Sequence, residues 1–221
     1  MIGVVNYGAG NLGSVMNALK RLGAEARFVA GPEALTGSFD KIIFPGDGHF
    51  ATAMESLEKS GFTDALREWI AADKPFLGIC IGLQLLFEYS EEAGFTADGA
   101  ADAEADADAG SDKPEKATRG LGVIKGIVKR FPGHKVPQIG WNQTAARPHS
   151  KLFRGLPADS FFYYIHSYYA APADDSVVAS EAEYYVRYCS AVERGNLAAV
   201  QFHPEKSGKA GLRLLQNWIE Q

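Results

Sequence analysis

Apolar and polar positions along the first 90 residues alternate between two periods. Positions 2–6 form a short apolar run ahead of a Gly-rich stretch, which predicts a buried strand. After Gly8, Ala9, Gly10 and Asn11, the residues Leu12, Val15, Met16, Leu19 and Leu22 recur at helical spacing as far as Gly23. Positions 26–29 predict a second strand and 41–44 a third, which Pro45 should end. Met54, Leu57, Phe62, Leu66, Trp69 and Ile70 fit one or two amphipathic helices. Lys74 and Pro75 lead into an apolar strand at 76–79, and 82–89 has the pattern of a further helix.

The second half has a different texture. Positions 123–131, 136–141, 161–166, 184–192 and 197–202 all predict strands, and Leu212, Leu215 and Ile219 a closing helix. Alternating strands and helices imply a mostly parallel sheet covered by helices. The later strands imply an antiparallel addition at one edge. The expected fold class is therefore α/β, as a single domain over 1–221.

Charge modifies this picture in one place. The 221-residue chain has 22 basic and 27 acidic residues, a formal charge of −5. Residues 97–112 carry five Asp, one Glu, seven Ala and no Lys or Arg, so the remainder of the chain is close to neutral. That segment contains no side chain able to anchor a core and reads as a solvated insertion, extending over about 97–118. Without basic runs the chain is a poor binder of nucleic acid or an anionic membrane. No apolar run approaches the ~18 residues of a membrane span. The N-terminus lacks a basic signal region, and two cysteines make no disulfide framework, so a cytoplasmic setting is expected.

Three stretches carry candidate chemistry. Residues 8–13 match G-x-G-x-x-G between a strand and a helix, with Glu33 available 20 residues later; this suits either a dinucleotide turn or a tight turn that simply needs glycine. Residues 76–84 place Cys80 between Gly78 and Gly82, the G-x-nucleophile-x-G form of a nucleophile elbow. In such a turn the helix amides favour the thiolate, and the N–H of Ile81 can serve half an oxyanion hole. Residues 201–207 put His203 and Glu205 two apart after an apolar strand, on one side of an extended backbone with Pro204 between them. A Cys elbow in the first half and a His oriented by a carboxylate in the second make a Cys-His-Glu triad, which displaces the dinucleotide reading.

Taken together these residues resemble the class I (triad) glutamine amidotransferases, and more closely the glutaminase subunits of imidazole glycerol phosphate synthase. The resemblance rests on NYGAGNL at 6–12, PGDGHF at 45–50, GICIGLQLLF at 78–87, GLGVIKGIVKRF at 120–131, PQIGWN at 137–142, YIHSY at 164–168 and QFHPEKS at 201–207. It implies that Cys80 is the nucleophile, His203 the base and acid, and Glu205 the orienting carboxylate. Gln84 would contact substrate L-glutamine. Gly46, Asp47 and Gly48 would form the oxyanion loop, with Gly48 and Ile81 beside the substrate. His166, Ser167 and Tyr168 would border the glutamine pocket, and Asn11, Trp141 and Lys206 would face a partner. That partner would be a (β/α)₈-barrel cyclase forming a heterodimer with this subunit; no cofactor and no metal are implied. The remaining readings are a glutaminase for anthranilate, aminodeoxychorismate or pyridoxal phosphate synthesis, or a non-catalytic regulatory subunit.

The chain departs from the pattern of that family at Asp47, where a small apolar residue such as Val is expected, and at Gln138, where His is common. A carboxylate near a forming oxyanion is unfavourable, so the Asp47 side chain is expected to turn away from the site. Cys189 reads as strand packing, and His49 and His166 lack neighbours with metal-ligand spacing.

Overall fold

The computed structural model describes residues 1–35, 37–92 and 117–221. The 97–112 acidic segment, and most of 97–118, lie outside the described residues. In chain order the regular elements are β1 (Ile2–Val5), α1 (Leu12–Arg21), β2 (Ala26–Val29), β3 (Lys41–Gly46), α2 (Phe50–Lys59), α3 (Phe62–Ala71), β4 (Phe76–Cys80), α4 (Ile81–Gln84) and β5 (Phe87–Ser90). There follow β6 (Thr118–Arg119), β7 (Ile124–Arg130), β8 (Gln138–Gln143), β9 (Ala145–Ala146), β10 (Phe161–His166), β11 (Tyr168–Pro172), β12 (Val178–Tyr184), β13 (Val186–Arg194), β14 (Leu197–Val200) and α5 (Gly208–Ile219).

The main sheet runs β2-β1-β3-β4-β14-β13-β11-β7-β5-β6. Its first five strands pair in parallel and form the central sheet, flanked by helices. From β13 onward the added strands are mainly antiparallel. β8 and β10 form a separate antiparallel pair. The inner parallel strands β1, β4 and β14 are buried along their length, as strands covered on both faces require, whereas β2 at the edge is partly exposed. Val4, Val5, Ile42, Ile43, Phe44, Phe76, Leu77, Ala199 and Val200 form the centre of the core.

Register explains where chemistry can gather. β3 pairs Gly46 with Cys80, and β14 pairs Val200 with Ile79. The residues just past these strand ends therefore lie side by side at the carboxyl edge, where open α/β sheets bind ligands.

Several expectations are corrected. Residues 82–89 are not one helix: α4 is a single turn and Phe87–Ser90 is a strand parallel to β7. Leu85 and Leu86 are fully buried beneath the turn between them, so apolar positions there serve packing rather than a helical stripe. Pro45 does not end β3, because the ladder to β1 stops at Ile43 and no donor is needed on that side. Pro137, with no N–H to pair, delays β8 to Gln138. Residues 184–192 do not form one strand: the chain turns at Tyr185, φ 60°, between antiparallel β12 and β13.

Candidate active site

The elbow is built from close approach. A Cβ at Gly82 would sit 2.0 Å from the Phe44 carbonyl oxygen, and one at Gly78 would meet the Gly82 oxygen at 2.8 Å and the Ala199 Cβ at 2.9 Å. With glycine at both places, β4 turns directly into α4. Cys80 itself takes φ 56° and ψ −109°, a backbone state that side-chain-bearing residues rarely adopt and that marks functional turns. Its sulfur is held at the end of β4, and Cys80 is buried.

β14 ends beside β4, and the chain continues through Gln201 and Phe202 to His203. The His203 N–H donates to the Tyr163 carbonyl, and the Ser207 hydroxyl donates to the His203 carbonyl, so β10 and the following turn clamp the histidine. His203 Nδ1 lies 2.8 Å from Glu205 Oε1, and both side chains are almost wholly buried. The pair does meet, but not across extended backbone: residues Pro204–Lys206 form a 3₁₀ turn with Pro204 at its start. Proline's fixed φ suits a first helical position, and the tighter turn swings Glu205 back under His203.

His203 Nε2 is buried, and Cys80 is the other side chain besides Glu205 that acts on the ring. Burial works against a charged ring. The negative charge that Cys80 can carry and the Glu205 carboxylate outweigh it and raise the His203 pKa to about 10. The arrangement is that of an imidazolium ready to give a proton to a leaving group.

Both residues open onto a cavity of about 270 Å³. Its lining includes Asp47, Gly48, Cys80, Ile81, Gln84, His166, Ser167 and His203, all singled out from sequence. Gly46 sits just behind it, where a Cβ would lie 2.7 Å from the Tyr7 hydroxyl and 2.9 Å from the Ile81 Cβ. His166 is buried, and burial lowers its pKa to about 4, so the ring is neutral. Its Nδ1 lies 2.7 Å from the Tyr168 carbonyl oxygen. A carbonyl only accepts, so Nδ1 carries the proton.

Asp47 sits at the exposed rim of the site with its carboxylate turned to Gly10. It lines the cavity, and its Oδ1 accepts the Gly10 N–H at 2.8 Å. The glycine turn at 8–13 thus backs the 45–48 loop: a Cβ on Gly10 would press against the Pro45 carbonyl at 3.3 Å. Asn11 caps α1 by accepting the Ser14 N–H.

Sequence reasoning missed Glu92. It lies just past β5, 12 residues after Cys80, and lines the same cavity. Its Oε2 accepts the Phe50 N–H at 2.6 Å, and burial raises its pKa. No spacing rule points to it; only the pairing of β5 beside β7 brings it there. Pro137, Ile165 and Tyr168 complete the wall.

The outer face of β8 and β10 is apolar. Ile139 and Trp141 pair with Ile165 and Tyr163, and Ile139, Trp141, Phe161 and Ile165 are 40–61% exposed. Trp141 stands near Gly208, just past Lys206, which is also exposed. Contiguous exposed apolar side chains of this kind mark contact surfaces.

Residues 3–221 match the family model Glutamine amidotransferase class-I. The chain belongs to the class I glutamine amidotransferase family. It is 43% identical to the imidazole glycerol phosphate synthase subunit HisH of a Synechococcus sp., over 99% of this chain and 93% of that protein. It is 42% identical to the subunit of the same name from Moorella thermoacetica, over 99% of this chain and 94% of that one. Among solved structures, one described as a glutamine amidotransferase superposes with TM-score 0.70 at 22% identity, covering 99% of this chain and 97% of that one. A PurLQS structure from Thermotoga maritima gives TM-score 0.72 at 16% identity over 99% and 97%. These last two likenesses concern the fold. Among the described residues of this amidotransferase, no three His, Cys, Asp or Glu side chains are grouped to hold a metal, and no helix is long and apolar enough to cross a membrane.

Proposed function

We propose that this chain hydrolyses L-glutamine to glutamate and ammonia as the glutaminase subunit of imidazole glycerol phosphate synthase. The observation that carries the chemistry is the strained Cys80 elbow sharing one cavity with the buried His203–Glu205 pair. The full-length relatives named as that subunit carry the pathway.

Cys80 Sγ attacks the γ-amide carbon, and the carbonyl electrons move onto oxygen. The Ile81 N–H and a peptide N–H of the 46–48 loop receive that charge. His203 gives its proton to the amide nitrogen, the C–N bond breaks, and ammonia leaves from a glutamyl thioester. Water then loses a proton to His203 and attacks the thioester, and the thiolate is expelled as glutamate forms. Glu205 holds the His203 ring and stabilises its cationic form. A free amino acid also presents an ammonium group. The carboxylates on the cavity wall are Asp47 and Glu92; Asp47 holds the Gly10 N–H, and Glu92 holds the Phe50 N–H with His49 Nε2 3.5 Å from its other oxygen.

Ammonia is useful only if it reaches its acceptor unprotonated, which requires a docked partner. The apolar β8–β10 face, flanked by Trp141 and Lys206 with Asn11 at the head of α1, receives a (β/α)₈ cyclase in a cytoplasmic heterodimer. The cyclase converts its nucleotide substrate and ammonia into imidazole glycerol phosphate and aminoimidazole carboxamide ribotide. Acid quenching during turnover, followed by peptide mass analysis, tests the covalent step. The expected result is a hydroxylamine-labile glutamyl adduct on the Cys80 peptide, and an adduct elsewhere would contradict it.

A further inference from the structure

We propose that Gln201 is a further residue acting on the reacting sulfur, holding and stabilising the Cys80 thiolate through its side-chain N–H; this rests on the glutaminase reading above. Gln201 has no solvent exposure. Its backbone N–H donates to the Ser190 carbonyl at 2.8 Å, which continues the β13–β14 ladder one residue and fixes where the side chain starts. Its Nε2 then lies 3.8 Å from Cys80 Sγ, within reach of a hydrogen bond to sulfur.

The direction of that contact follows from a chain of donors. The Tyr168 carbonyl can only accept, so the Gln84 amide group must turn its nitrogen toward it, at 3.0 Å. The same nitrogen donates to Gln201 Oε1 at 3.1 Å. With its oxygen so engaged, Gln201 has only its NH₂ left to face the sulfur. One backbone carbonyl thus sets the orientation of two side-chain amides and delivers a donor to Cys80. The Ile165 carbonyl oxygen also lies 3.9 Å from the sulfur and is a repulsive dipole for a thiolate. A buried sulfur that must become an anion needs a donor to offset that dipole, and a hydrogen bond to a charged acceptor is about twice as strong as a neutral one. The same N–H stabilises the thiolate when it departs in the second half of the reaction.

The test compares Gln201→Met, which keeps length and removes the donor, with Gln201→Glu, which replaces the donor by an acceptor. Iodoacetamide alkylation of Cys80 is followed across pH in the complex with the cyclase, beside glutamine kinetics and the ammonium-supported activity of the same complex. Expected are alkylation about tenfold slower at neutral pH that recovers in alkaline solution, and kcat for glutamine lowered about tenfold or more with KM within twofold. Gln201→Glu should be the more severe. Gln84→Met should produce part of the same alkylation defect and add little to Gln201→Met. Ammonium-supported activity near wild type reports intact folding and assembly. Alkylation with unchanged rate and pH profile, or a rise in KM alone, would overturn the proposal. A wild-type complex that alkylates at Cys80 but releases no ammonia from glutamine would instead count against the glutaminase reading.

Discussion

His166 is buried and neutral, with its pKa lowered by burial to about 4. In the unfolded chain an ordinary histidine titrates near 6.5, so between these values the unfolded state binds a proton that the folded state does not. The stabilising difference is fully present above about pH 6.5 and is lost as pH falls toward 4, amounting to about 3 kcal/mol over that window. Replacing His166 by Gln should therefore flatten the loss of stability between pH 6.5 and 4, measured as the urea midpoint of each protein. Identical pH slopes for the two would contradict the assignment. Asp47 gives a second prediction at this scale. Asp47→Asn can retain the acceptor for the Gly10 N–H while removing a negative charge from the cavity wall. A screened charge at such range is worth about 1 kcal/mol, so basal glutamine hydrolysis should rise roughly fivefold. An unchanged or lower rate would show that the charge does not reach the developing oxyanion.

At the scale of elements, the elbow depends on two glycines more than on any side chain. Gly82→Ala places a methyl of α4 2.0 Å from the Phe44 carbonyl oxygen of β3, a backbone atom that cannot swing aside. Such overpacking costs about 1–3 kcal/mol or more, and the shift it forces moves Cys80. Chemical denaturation should show the loss, and glutamine turnover should fall further than stability alone accounts for. This part of the site was legible in the sequence because one strand–turn–helix holds Gly78, Cys80 and Gly82 within five residues. His203 and Glu205 were legible for the same reason, although their meeting across a 3₁₀ turn was not. Glu92 and the contact of Gln201 with Cys80 were not legible. Each depends on which strands lie beside which, and residue order carries no such register. The misreading of 82–89 as a helix has a related cause: apolar residues that pack under a turn and on a strand can mimic a helical stripe over so short a run.

At the scale of the whole molecule, the parallel half of the sheet provides the catalytic edge, and the β8–β10 pair presents an exposed apolar face beside it. Trp141 is 56% exposed in this chain and makes an edge contact with Tyr163. Trp141→Ala should weaken cyclase binding by about 2 kcal/mol or more, read by calorimetry, while leaving the fold intact. The acidic segment should matter far less. Ser90 and Thr118 are paired across β5 and β6, so a short linker can join the flanks. Loop entropy changes by only about 0.6 kcal/mol per doubling of length, and a Gly/Ser replacement of 97–112 should preserve stability and coupled activity. A large fall in cyclase affinity at ordinary salt would contradict this.

The central claim is that ammonia is made at Cys80 and used elsewhere. Its most direct test is glutamine-dependent ammonia release by Cys80→Ala in complex with the cyclase and its nucleotide, with ammonium salt supplied in a parallel reaction. Expected are no release from glutamine and near wild-type product formation from ammonium. Release from glutamine at a rate close to wild type would contradict it.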